Sequence, residues 1–119
     1  MFVLVITAQV KPNAGAAFAH AFEAQVLPSL RDQRGFRDEL LLVVPGGPDI
    51  TAISFWDSGE DLDGYEHTVW PGVEKALVNV IDRPVLRRFQ LAHSTLHQKG
   101  AAAFPVQSPI TTEPTGVGA

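Results

Sequence analysis

Residues 2–6 and 40–44 are apolar at every position. Neighbouring side chains of a β-strand point to opposite faces of the sheet. A strand that is apolar throughout therefore needs cover on both sides. In residues 2–10, Phe2, Leu4, Ile6, Ala8 and Val10 share one face, and Val3, Val5, Thr7 and Gln9 share the other. A chain of 119 residues has one domain's worth of material with which to build that cover.

The first cover is helical. Lys11-Pro12-Asn13 reads as a turn, with Asn13 as the helix N-cap. Residues 14–31 follow a helical period, with Phe18, Phe22, Val26 and Leu30 in one stripe and Ala14 and Ala21 beside it. His20 lies away from the stripe and reads as a solvated histidine. Pro28 should kink the last turns, and Gly35 is placed for a left-handed C-terminal cap.

Residues 36–44 form the second strand. The turn signal Pro45-Gly46-Gly47-Pro48-Asp49 follows, and the β-branched and aromatic run 50–56 completes an antiparallel hairpin. Trp56-Asp57-Ser58 then opens a second helix, and Ser58 with Asp61 has the spacing of a capping box. Leu62, Tyr65 and Val69 share its apolar face, with Glu66 at the edge and His67 pointing away. Trp70-Pro71-Gly72 interrupts this helix. Pro71 can start a new one, with Val73, Leu77, Val80 and Ile81 as its stripe, ended by Arg83-Pro84. A long fourth strand covers residues 85–97.

Residues 1–97 are thus expected to form the domain. Residues 98–119, rich in proline and glycine, read as a C-terminal tail that can lie along a partner subunit. The order strand, helix, strand, strand, broken helix, strand is the split βαβ, ferredoxin-like plan, an α+β fold. It predicts a four-stranded antiparallel sheet with both helices on one face. The other face would be bare and apolar, so the chain is expected to be a homodimer packed sheet to sheet, the alternative being that the tail folds back over that face.

Several classes are disfavoured. A net charge of −4 without a basic run leaves no footprint for nucleic acid. No apolar run approaches the length of a membrane span, and no signal-peptide pattern precedes residues 2–6. Cysteine is absent, which fits a cytoplasmic protein and excludes thiol nucleophiles and thiolate metal sites. His93 and His97, four apart on one strand, stand roughly 13 Å apart and share no metal ion within a chain. No metal site and no cofactor are expected.

The chain resembles the dimeric α+β barrel proteins of the antibiotic biosynthesis monooxygenase type, over residues 2 to 95. The resemblance rests on Val10-Lys11-Pro12-Asn13 before a helix ending Leu27-Pro28-Ser29-Leu30-Arg31, on Arg34-Gly35-Phe36, and on Trp56-Asp57-Ser58 with Glu60 and Leu62. It implies a small dimer with a pocket in each protomer, between sheet and helices. Some members oxidise polycyclic aromatic compounds with O2 and no flavin or metal; others degrade haem or rearrange small metabolites. The positions that hold histidines in many members fall at Tyr65 and Trp70. The haem iron ligand falls near Leu77, and the strand-one Asn of that branch is replaced by Thr7 and Gln9.

The implied chemistry is proton removal from a small, aromatic ligand and stabilisation of the resulting anion. Tyr65, Glu66 and His67 are the candidate catalytic residues: Tyr65 as hydrogen-bond donor, Glu66 or His67 as base. Trp56, Trp70 and Arg87 are the candidate substrate-binding residues. Each has a plainer role open to it: core packing for Trp56 and Tyr65, solvent exposure for His67, surface or interface pairing for Arg87 and its neighbour Arg88. The alternative to an enzyme is a non-catalytic dimeric small-ligand-binding protein of the same fold.

Overall fold

The computed structural model describes residues 1–96, so the expected tail and His97 lie outside the described residues. Four strands, β1 (Phe2–Val10), β2 (Phe36–Val43), β3 (Asp49–Trp56) and β4 (Ile81–Gln90), form one sheet in the order β2-β3-β1-β4. Every neighbouring pair is antiparallel. The helices are α1 (Gly15–Ala21), α2 (Leu27–Arg31), α3 (Gly59–Thr68) and α4 (Trp70–Leu77), with a π-helical segment, Phe22–Val26, joining α1 to α2. This is the ferredoxin-like arrangement that the order of elements predicts.

Period-two alternation decides what the sheet buries. Leu4, Ala8, Ile50, Ser54 and Trp56 turn toward the helices and are buried there. The helical stripe Phe18, Phe22, Val26 and Leu30 meets them, together with Leu62, Tyr65, Trp70, Val73 and Leu77. On the opposite face Val3 and Phe55 are shielded at the sheet centre, while Leu42, Val85 and Phe89 are 52%, 51% and 43% exposed. No helix among the described residues is long and apolar enough to cross a membrane.

Three local expectations are corrected. Asn13 does not cap α1: it takes a left-handed φ of 63°, and Ala14 stands at the N-cap without a side-chain bond. Asn tolerates that conformation in a tight turn, which removes it from the capping position. Pro28 sits in the first turn of α2, where its missing amide costs little. The ladder widens just before it, the Leu27 N–H reaching back to the Phe22 carbonyl. The helix expected to end at Arg83 ends at Leu77, and Ile81, read as part of its stripe, begins β4. The strand expected over 85–97 ends at Gln90. Arg83, at φ 55°, and Pro84 fall where the β1–β4 register shifts between Thr7 and Gln9. A proline without a donor is tolerated at such an irregularity on an edge strand.

The strand-to-helix junction after β3 follows the sequence closely. Ser58 is the N-cap of α3, its hydroxyl accepting the Asp61 N–H at 3.1 Å and donating to the Asp61 carboxylate at 2.9 Å. Gly35 has a φ of 79°, and a Cβ there would lie 2.1 Å from Asp61 Oδ2. Only glycine allows the turn before β2 to pass that close to the α3 cap. Arg37 on β2 makes a two-pronged ion pair with Asp57, at 2.5 and 2.7 Å, fixing β2 against the end of β3.

Candidate active site

The helix-facing side of the sheet leaves a small cavity of about 40 Å³ beneath the helices. Tyr65 from α3 and Trp70, Val73 and Leu77 from α4 wall it on one side, and Phe22 and Val26 of the π-helical segment on another. The sheet contributes Glu39 from β2 and Ser54 from β3, which are paired across the two strands. Leu62 and Tyr65 share the buried face of α3, which places the phenol over the sheet.

Three polar side chains line this apolar space: Glu39, Ser54 and Tyr65. Ser54 is buried, and its hydroxyl accepts the indole N–H of Trp56 at 2.8 Å. Glu39 makes no hydrogen bond or ion pair among the described residues. Burial pushes its carboxyl from the ordinary 4.5 up to about 8, so at neutral pH the neutral acid predominates. The Tyr65 hydroxyl is also pushed up, by burial first and then by the charge of Glu39. It stays a neutral phenol and a hydrogen-bond donor throughout the physiological range.

A wider cleft of about 970 Å³ adjoins the cavity, between the β2–β3 turn and the start of α1. Phe18, Phe22 and Ile50 belong to both spaces and form the wall between them. The cleft is largely apolar, with Lys11, His20 and Glu23 among its polar residues.

The structure brings together only part of the sequence-derived set. Tyr65 and Trp70 line the cavity. Trp56 is fully buried behind Tyr65, ring centroids 5.1 Å apart, and packs against Phe36 as well. Glu66 points instead to β4, where it accepts from Arg88 at 2.6 Å, and Arg88 also pairs with Asp63 at 2.7 Å. His67 is exposed, with Nδ1 2.8 Å from the Asp63 carbonyl one turn earlier. Arg87 lies on the opposite sheet face, its guanidinium 5.2 Å from the Phe89 ring centroid. Helical phase carries Glu66 and His67 off the Tyr65 face, and strand alternation carries Arg87 away from Arg88.

Glu39 is the residue that sequence reasoning missed. Its signal was available: it is in phase with Leu41 and Val43, a charge on the side of β2 that otherwise turns apolar groups to the helices. Among the described residues no group of three His, Asp or Glu side chains is placed to hold a metal ion.

Comparison with known proteins agrees with this architecture. A sequence profile of the antibiotic biosynthesis monooxygenase family matches residues 1–76. Comparison with curated protein sequences found no match. Among solved structures, SnoaB from Streptomyces nogalater, described as a cofactor-independent oxygenase, superposes with a TM-score of 0.68 at 17% identity, over 79% of this chain and 95% of that one. The heme-degrader MhuD from Mycobacterium tuberculosis, with two hemes in its active site, gives 0.63 at 19% identity, over 80% and 99%. Rv0793 from the same organism gives 0.65 at 14%, over 79% and 97%.

Proposed function

The chain belongs to the antibiotic biosynthesis monooxygenase family, and from that premise we propose that it is a cofactor-independent monooxygenase acting on a small aromatic ligand. The observation that carries this reading is the apolar cavity under α3 and α4 with Tyr65 and Trp70 in its wall. In such a reaction a neutral methylene conjugated with an aromatic ketone loses a proton. The resulting enolate reduces O2, and a carbon–oxygen bond forms. Loss of water then leaves a second carbonyl: CH2 plus O2 gives C=O plus H2O. Tyr65 donates to the enolate oxygen, and Trp70 stacks on the ring. A dry, apolar wall makes that one hydrogen bond count for more than it would in water.

The cavity alone accommodates only the reacting end of such a molecule. Its body occupies the neighbouring cleft once the Phe18–Phe22 wall yields. The protein acts as a homodimer, because the exposed side chains of Leu42, Val85 and Phe89 need a cover.

Haem does not fit this lining. Among the described residues no imidazole lines the cavity, and Leu77 stands near where the resemblance sets the iron ligand. A second reading, a non-catalytic ligand-binding protein, draws on the cavity volume of about 40 Å³, well below the few hundred Å³ usual for a ligand pocket.

The test is oxygen uptake by the purified protein with anthrone, a neutral three-ring ketone with an acidic methylene. Uptake above the buffer rate, with equimolar quinone formed, supports the enzyme. Binding of anthrone without oxygen uptake supports the second reading.

A further inference from the structure

We infer that Glu39 is the proton acceptor of this site, serving neutral carbon or oxygen acids whose reacting end enters the cavity under α3 and α4. The inference rests on the cavity being the site of chemistry, as argued above, and adds the group that moves the proton.

The geometry singles Glu39 out. Of the three polar side chains in the lining, Ser54 already accepts the Trp56 indole N–H at 2.8 Å. Tyr65 is a hydroxyl held in its protonated form. Glu39 is the remaining group able to take a proton, and it has no hydrogen-bond or ion-pair partner among the described residues. Glu39 is half-buried, and a carboxyl held there without a partner is costly, a cost that a leucine at this position would avoid. A structural role therefore does not account for it.

The surroundings decide the class of acid. The side chains that the π-helical segment and α4 turn to the cavity are Phe22, Val26, Trp70, Val73 and Leu77, all without charge. From β3 comes Ser54, and from α3 comes Tyr65, the one other titratable group among the described residues of the lining. Among the described residues no cation lines the space to hold an anionic ligand beside a carboxylate. A neutral acid enters at no such penalty. Its proton passes to a Glu39 carboxylate oxygen, and its electron pair is delocalised onto its own carbonyl oxygen, which accepts from the Tyr65 hydroxyl. Glu39 ends protonated and releases the proton to water when the ligand leaves. A base that titrates at about 8 is matched to work near neutral pH.

The experiment is hydrogen–deuterium exchange of anthrone, and of the smaller 2-indanone, by the full-length protein in D2O without oxygen, read by mass spectrometry. The expected result is exchange above the buffer rate, rising with pH to a plateau beyond about 8. Glu39→Gln should lower the enzymatic rate by about 100-fold or more, while Tyr65→Phe lowers the rate but keeps the pH midpoint. Carboxyl carbon NMR of the wild-type protein should show one glutamate titrating well above the rest, a readout that needs no variant to fold. The inference is overturned if wild-type protein exchanges neither probe faster than buffer, if Glu39→Gln matches wild type, or if no glutamate titrates above pH 6. Exchange without oxygen uptake in air keeps Glu39 as the base and removes the monooxygenase reading. Oxygen uptake unchanged in Glu39→Gln does the reverse.

Discussion

Glu39 on β2 and Tyr65 on α3 line one small cavity, and each is harder to ionise for being there. Burial is the first cause in both. The phenol is raised further because a charged Glu39 would repel a phenolate. A carboxyl raised by burial beside a phenol that stays neutral leaves an apolar space holding a donor and a latent base. Such perturbed pairs gather at functional sites more often than elsewhere.

Glu39 should make stability fall with rising pH. Its folded value of about 8 lies above the ordinary 4.5. Below the ordinary value the carboxyl is protonated in both states and contributes no difference. Between the two values the unfolded chain releases a proton that the folded chain retains, so unfolding gains with each step upward. The loss is at most about 1.4 kcal/mol per pH unit and levels off above the folded value. Urea denaturation at pH 5, 7 and 8.5 should show Glu39→Gln gaining on wild type as pH rises. Parallel curves for the two proteins would sink the idea.

The Trp56–Ser54 bond should matter more than a bond at the surface. Trp56 is fully buried, and the Ser54 hydroxyl is the acceptor of its indole N–H at 2.8 Å. Ser54→Ala leaves that N–H without a partner in a dry interior and is expected to cost about 1–3 kcal/mol. The change is followed by urea unfolding, with tryptophan fluorescence as the probe. A midpoint equal to wild type would show that water or a neighbour replaces the serine.

The exposed sheet face should be where two copies meet. Leu42 on β2 and Phe89 on β4 flank it, 52% and 43% exposed. Leu42→Glu with Phe89→Glu places charge at both margins of the proposed contact, where desolvation makes it costly. Sedimentation at micromolar concentration should show a dimer for wild type and a monomer for the double variant, with unchanged helical circular dichroism. A wild-type monomer would refute the sheet-to-sheet contact.

The fold was legible because its strongest signals are local and agree with one another. An unbroken apolar run marks β1, a β-branched and aromatic run marks β3, a 3.6-residue stripe marks the Phe18–Leu30 helix, and Ser58 with Asp61 marks the start of α3. Errors fall where a residue serves two patterns. Ile81 continues the helical stripe of Val73 and Leu77, yet pairs with Val10 as the first residue of β4. Asn13 suits a cap and a left-handed turn equally, and the turn claims it. The site was half legible. Tyr65 follows from the apolar phase of its helix and Trp70 from the resemblance, whereas Glu39 looks like one more charge at the head of an apolar strand. Its phase with Leu41 and Val43 is a weak hint, because Leu40 and Leu42 make the other face apolar too, and the register that sets it opposite Ser54 decides which way it faces.

Phe22 should act as the partition between cleft and cavity. It belongs to the wall of both spaces, with Phe18 beside it at 5.9 Å between ring centroids. It is also the first residue of the π-helical segment, and its carbonyl accepts the Leu27 N–H. That backbone bond does not depend on the side chain, so Phe22→Ala removes the wall and leaves the segment in place. The loss of a buried ring should cost about 3–5 kcal/mol. Part of that loss is recoverable, because an enlarged apolar cavity binds a small apolar ligand and the ligand stabilises the folded state. Thermal melts with saturating naphthalene should therefore raise the midpoint of Phe22→Ala well above any rise in wild type. Equal shifts in the two proteins would mean that the cavity and the cleft communicate by another route or not at all.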